Sequence, residues 1–222
     1  MASARRNVFV TGGTGYMGSR LIAELLRRGH TVRAVARARS LDKLPPGCTA
    51  VEGDALSTAS LAHLVGDADT LVQLVGVAHP SPRKAKQFRS VDLASAHAAI
   101  DVACRAVVEH FVYVSVAHPA PVMRAYVETR REAEDALVSS GLTYTILRPW
   151  YVLGPGHRWP LVLSPLYGLA TLVPAWREGA RRLGLVTIAA MVAALAEAVE
   201  EPPAQGQILD VPRIRAANAS PF

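Results

Sequence analysis

The chain has 222 residues, half of them hydrophobic, which suits one domain with a substantial core and argues against a disordered or fibrous chain. Its formal charge of +6 comes almost wholly from arginine, the only lysines being Lys43, Lys84 and Lys86, and no basic tail or aromatic-basic alternation marks a nucleic-acid interface. Cys48 and Cys104 lie far apart without metal-ligand spacing, so they read as buried thiols of a reducing compartment and imply no metal.

The opening MASARRNVFV enters an apolar stretch without a signal core, so a cytoplasmic protein is expected, with peripheral membrane contact as an addition. Asn7 to Val10 is short and β-branched, the pattern of a buried strand, whereas Leu21, Ile22, Leu25 and Leu26 recur at helical spacing up to Gly29, a natural stop. Between them, Gly12 permits a tight turn, Gly15 keeps side chains off a phosphate, and Gly18 lets the helix lie close on the strand. Backbone N–H groups of Met17 and its neighbours then face an anion at the positive end of the helix, so Gly12, Gly13, Thr14, Gly15, Tyr16, Met17 and Gly18 form the expected seat of a dinucleotide pyrophosphate. The plainer alternative is a turn whose glycines serve chain geometry alone.

The octet TGGTGYMG resembles the fingerprint of the extended and atypical short-chain dehydrogenase/reductase superfamily. The likeness is greatest to its branch of NmrA-like proteins and the accessory dinucleotide-binding subunit of respiratory complex I. It implies an α/β, Rossmann-type, doubly wound parallel sheet with helices on both faces. One domain would then span 1–222, with a short C-terminal substrate-side region and an apolar substrate-side or lid segment at 150–187.

Thr31 to Ala36 predicts a second strand ending at Arg37, where an NAD-binding chain would place an acidic residue on the ribose. Arg37, Arg39 and Ser40 stand there instead and suit a 2′-phosphate, so NADP is expected ahead of NAD, unless these arginines merely solvate a loop. Cys48 to Gly53 predicts the third strand. By the resemblance, Asp54 and Ala55 just beyond it meet the adenine, although Asp54 would also serve to start the next helix. Asp69 to Val75 predicts the fourth strand, bringing Val75 and Gly76 to the carboxyl edge where ligands gather.

HPSPRKAK, from His79 to Lys86, reads as a solvated turn. A long helix follows, expected to pack through Val91, Leu93, Ala98, Val102 and Val107, with Asp92 as a structural or water-holding group and His97 at the surface or satisfied in the core. His110 to Ser115 predicts the fifth strand. Pro119 and Pro121 mark a loop, and Tyr126 to Val138 a helix on which Tyr126 and Arg130 share one face. The resemblance puts Ser115 at the catalytic Ser/Thr position and Tyr126 at the catalytic Tyr of Tyr-x-x-x-Lys, with Arg130 replacing the lysine that holds the nicotinamide ribose. An aromatic packed at a helix start beside an exposed arginine is the bland alternative.

SGLTYTILRPWYVLG resembles the family's helix exit and sixth strand, which implies that Arg148 and Pro149 lie over the nicotinamide end. Trp159 to Trp176 carries no charge and is interrupted by Pro160, Pro165 and Pro174, the pattern of an apolar lid or pocket wall, with contact to a membrane surface or a protein complex as the second reading. Leu183 to Val186 predicts a strand, Thr187 a cap for a helix buried through Ile188, Met191, Val192, Leu195 and Val199, and Gln207 to Val211 a last strand before a loose tail.

Two functions fit this pattern. One is an NADP-dependent oxidoreductase acting on a small apolar carbonyl or quinone-like molecule, with Tyr126 relaying the proton, Ser115 positioning the oxygen and Arg130 on the ribose. The other is a non-catalytic NADP-binding sensor or accessory subunit, suggested by arginine where the family has lysine.

Overall fold

The computed structural model describes residues 4–120, 122–156 and 183–217. Nine strands occur among the described residues: β1 (Asn7–Thr11), β2 (Thr31–Ala36), β3 (Thr49–Glu52), β4 (Thr70–Gln73), β5 (His110–Val114), β6 (Tyr144–Leu147), β7 (Tyr151–Leu153), β8 (Leu185–Thr187) and β9 (Gly206–Leu209). Seven form one parallel sheet in the order β3-β2-β1-β4-β5-β6-β9, while β7 and β8 pair separately. The helices are α1 (Tyr16–Arg27), α2 (Thr58–Ala62), α3 (Ala94–Arg105), α4 (Arg124–Ser139), α5 (Ile188–Glu200) and α6 (Val211–Ala216), with shorter helical turns between them. The apolar stretch from Trp159 to Trp176 lies outside the described residues.

Side chains alternate across the strands, so the sheet feeds two cores. Val8, Val10, Val32, Val72 and Val112 pack with Leu21, Ile22 and Leu25 of α1 and Met191, Leu195 and Val199 of α5. Phe9, Leu71, Phe111, Tyr113 and Ile146 face the other way, toward Ala99 and Val102 of α3 and Ala133 and Leu137 of α4. Leu21, Ile22 and Leu25 are fully buried, and each such side chain contributes about 1.5–3 kcal/mol relative to exposure. The sheet therefore orders the chain so that successive βα connections diverge between β1 and β4. The crevice at their carboxyl ends is the topological switch point.

Several expectations need correction. Val107 does not pack: it is 82% exposed with φ of 54°, and the next residue, Val108, enters the core. Cys104 is exposed, and Cys48 only partly buried. The long helix is broken into a turn at Ala85–Gln87, a π-helical stretch at Phe88–Leu93 that contains Asp92, and α3, on which His97 is exposed. His79 to Lys86 is partly helical, Pro82–Lys84 forming a 3₁₀ turn, and Lys84 Nζ donates to the carbonyls of Ala78 at 2.6 Å and His79 at 3.0 Å. The strand predicted at Leu183 to Val186 begins later and joins β7 rather than the main sheet. Nor is the tail loose through residue 216, because the Asp210 carboxylate caps α6, whose Val211 and Ile214 are fully buried.

At the amino end of β5, His110 is fully buried, with Nε2 2.9 Å from Thr145 Oγ1. Burial, aided by the charge of Arg6, lowers its pKa from 6.5 to about 4. The folded state therefore takes up the His110 proton less readily than the unfolded chain. The stability this gives is present above pH 6.5 and is lost as pH falls through about 4. That shift corresponds to about 3 kcal/mol. Urea unfolding of the parent and of His110→Leu between pH 7 and pH 4 is expected to show a shallower decline in the variant; equal slopes would remove His110 as the cause.

Candidate active site

The glycine turn sits on the switch point. Gly12 has φ of +75°, and a Cβ there would come within 2.8 Å of the Leu74 and Val75 backbone of the neighbouring strand exit. Gly15 N–H donates to Gly12 O at 3.0 Å, closing the turn. A Cβ on Gly18 would approach Gly12 O to 2.3 Å, so what Gly18 accommodates is the backbone of the turn itself. Gly13 is equally constrained, since a Cβ there would meet Ile22 Cδ1 at 2.7 Å and Leu44 Cδ2 at 3.0 Å. Gly15 caps α1 with backbone only, and the first turn holds no acidic side chain, which leaves the amides of Met17 and Gly18 to an outside acceptor. Thr14 is half-buried beside them, and the Tyr16 ring is covered by Arg20, its Cζ 4.2 Å from the centroid.

Arg37 and Arg39 are exposed at the end of β2, and among the described residues neither is paired with a carboxylate. Asp54 is also exposed and does not start α2. Its carboxylate accepts from Leu56 N at 3.0 Å, while Ser57 caps the helix, and Ala55 packs on the second core. These groups share the carboxyl edge with Val75 and Gly76.

Arg130 is the hub of the reacting end. It is 6% exposed, contrary to an arginine at the surface. Nη2 donates to Asp92 Oδ1 at 2.6 Å, and Nη1 donates to Val114 O at 2.9 Å and to Tyr113 Oη at 3.2 Å. Burial works against this charge, yet Tyr113, Tyr126 and Asp92 around it raise the Arg130 pKa above its ordinary value. Burial likewise pushes the Asp92 carboxyl up, against the pull of Arg130 and the Val77 amide. Gly76 owes its lack of a side chain to this ion pair, since a Cβ would lie 2.4 Å from Arg130 Nη2.

Tyr126 is half-buried with its ring centroid 5.3 Å from Arg130 Cζ and 4.9 Å from that of Phe88. Ser115, directly after the Val114 carbonyl that Arg130 grips, is 4% exposed. Its hydroxyl lies beside the Glu134 carboxylate but, among the described residues, meets no partner at good hydrogen-bond geometry. Tyr126 and Arg130 are thus side by side, and Ser115 follows the carbonyl that Arg130 grips.

Glu134, one turn beyond Arg130, is a functional neighbour that sequence reasoning misses. It accepts from Arg148 Nε at 3.1 Å, from Arg148 Nη2, and from His118 Nε2 at 3.3 Å. Burial opposes its charge, but bonds from His118 and Arg148, with the Ser115 hydroxyl nearby, hold its pKa below the ordinary carboxylate value. Arg148 is therefore a strut to α4. Pro149 O accepts from Ala117 N at 2.9 Å, pinning the exits of β5 and β6 together. The available signal for Glu134 is its spacing, since residues 126, 130 and 134 form one stripe on a helix.

A parallel sheet of this order, with a glycine turn opening onto its switch point, defines a Rossmann-type dinucleotide-binding protein. The chain belongs to the NAD(P)H-binding family, whose model matches residues 12–158, and the likeness to atypical short-chain dehydrogenases/reductases holds. It is 27% identical over 183 residues to a ceramide reductase of Caulobacter vibrioides, covering 80% of this chain and 56% of that one. It is 29% identical over 170 residues to the chloroplastic protein TIC 62 of Pisum sativum, covering 64% and 32% respectively. The chain thus spans from about a third to just over half of these relatives' lengths. Among solved structures, the Bordetella bronchiseptica enzyme WbmH in complex with NAD+ shares the fold with a TM-score of 0.68 and 24% identity, over 91% of this chain and 74% of that one.

Proposed function

We propose that the protein is an NADP-dependent oxidoreductase acting on a small apolar carbonyl or quinone-like substrate. The observation that carries this reading is the Tyr126 ring beside the buried Arg130, which grips the Val114 carbonyl just before Ser115, at the same sheet edge as the glycine turn. A dinucleotide fits what the residues offer: a turn in which Cβ atoms at Gly12 and Gly18 would collide with backbone, helix amides open to an outside acceptor, and two exposed guanidinium groups at the β2 exit. Residues Gly12 to Gly18 would hold the pyrophosphate, Asp54 and Ala55 the adenine end, Arg37 and Arg39 the 2′-phosphate, and Val75, Gly76 and Pro149 would border the remainder.

The bound nicotinamide supplies the hydride exchanged with the substrate carbon. Tyr126 gives its phenolic proton to the substrate oxygen in reduction and takes it back in oxidation. Ser115 donates a hydrogen bond to that oxygen as charge builds on it. Arg130 keeps its own proton throughout, and its contribution is a fixed positive charge beside the Tyr126 ring. The ceramide reductase among the relatives supports an apolar substrate.

Cofactor choice is tested by titrating the protein with NADPH and NADH side by side. Arg37→Ala is expected to cut the preference for NADPH by about tenfold or more, the worth of a charge-assisted phosphate contact. An unchanged ratio would reject the assignment of Arg37. The second reading, a non-catalytic NADP-binding sensor or accessory subunit at a membrane surface or in a complex, is favoured by the engagement of Arg130 with Asp92 rather than with open space. It predicts NADPH binding without turnover across aldehydes, ketones and quinones.

A further inference from the structure

We propose that Gln73 is a positioning residue that holds the glycine turn in register with the Arg130–Tyr126 pair. The proposal rests on the reading of Gly12 to Gly18 as a nucleotide seat. Gln73 is the last residue of β4, fully buried, and stands opposite Thr11, the residue before Gly12, in the β1–β4 ladder. The Thr11 hydroxyl donates to Gln73 Oε1. Gln73 Nε2 donates to Ser95 Oγ at 2.9 Å, and Ser95 Oγ donates to the Asp92 carbonyl at 3.0 Å. The Asp92 carboxylate then accepts from Val77 N at 3.0 Å and from Arg130 Nη2.

The two hydroxyls and the Gln73 amide each find an acceptor along this chain, so one arrangement satisfies it. The amide of Gln73 is oriented accordingly, with oxygen toward Thr11 and nitrogen toward Ser95. Apolar side chains of similar volume would join strand to helix without the cost of burying polar groups. What the polar chain adds is direction: it fixes the turn after Thr11 relative to Asp92, and Asp92 fixes the guanidinium beside Tyr126. Asp92 lies within the π-helical turn, whose wider spacing departs from the regular helix on either side. Gly12 also rests on the Leu74–Val75 backbone just past Gln73, so the turn and Gln73 share a second contact. Disturbing the network at its far end is therefore expected to alter nucleotide affinity at the turn.

The test is NADPH binding, followed by nucleotide fluorescence, in Gln73→Met, Ser95→Ala and Ser95→Thr. The first two are expected to weaken binding by about five- to twentyfold, the usual range of such couplings, and Ser95→Thr, which keeps the hydroxyl, to restore it. The double variant should bind little worse than Gln73→Met alone, since one broken link already severs the chain. Val108→Ala, in the core at the opposite edge, serves as the control for lowered stability and should leave affinity unchanged. Parental affinity in Ser95→Ala, or equal weakening in Val108→Ala, would overturn the proposal, and the Ser95 pair decides it even if Gln73→Met fails to fold. A parent protein that binds neither NADPH nor NADH would instead overturn the nucleotide seat itself.

Discussion

Tyr126→Phe is expected to lower turnover of an apolar carbonyl substrate by about a hundredfold or more, the usual worth of a positioned proton donor, with NADPH affinity held within about twofold. The substitution removes only the phenolic oxygen. The ring keeps its place against Phe88 and beside the Arg130 guanidinium, so α4 and the sheet edge should stay as they are. The measurement is NADPH consumption over a panel of aldehydes, ketones and quinones, with binding titrated in parallel. Full turnover in the variant would remove Tyr126 from the chemistry, and loss of binding would mean that the hydroxyl acts on the nucleotide instead.

Arg130→Met should destabilise the fold by about 3–5 kcal/mol, because it leaves the Asp92 carboxylate buried without its cation. The same change strips the Val114 carbonyl and the Tyr113 hydroxyl of a donor. Combining it with Asp92→Leu is expected to recover much of the loss, since an apolar pair carries no desolvation cost. Urea unfolding of the three proteins provides the check, and a single variant as stable as the parent would show that the ion pair contributes nothing to folding. Arg130→Lys, by contrast, keeps the charge but gives up the planar head that reaches three acceptors at once, so it separates stability from any gain in turnover.

The nucleotide-binding half is the most legible part of the chain. The β-branched run from Thr31 to Ala36 is bounded by Gly29 and Arg37, and the structure gives it those limits. Thr187 is readable as a cap because an apolar helical stripe follows it, and its hydroxyl does accept from Ala190 N. Val107 and Val108 illustrate where pattern fails: at a helix end two adjacent valines fit the apolar stripe equally, and only the left-handed turn at Val107 sends the second one inward. The helix from Val211 escapes a periodicity reading for its brevity, although Asp210 and Pro212 are ordinary start signals.

At the reacting end, residue types are readable and their partners are not. Tyr126, Arg130 and Ser115 can be named from spacing and resemblance, but nothing local says that a guanidinium will turn inward to meet an aspartate 38 positions earlier. Gly76 looks like a residue for the nucleotide, whereas its small size is also demanded from behind by Arg130. Gln73 is hidden for a related reason: a glutamine in an otherwise apolar strand carries no periodic signature, and only the ladder register shows that it faces Thr11.

One contact bears on how the protein matures. The Tyr16 hydroxyl lies where a side chain on Gly154 would intrude, with Ile188 pressed against the same spot. The aromatic ring of the glycine turn is therefore walled by residues made some 140 to 170 positions later. On the ribosome, the first forty residues, with their strand, turn and helix, are made long before that wall exists. Acquisition of tight nucleotide affinity should consequently mark the emergence of Ile188, and a nascent chain halted before it should hold the nucleotide only loosely.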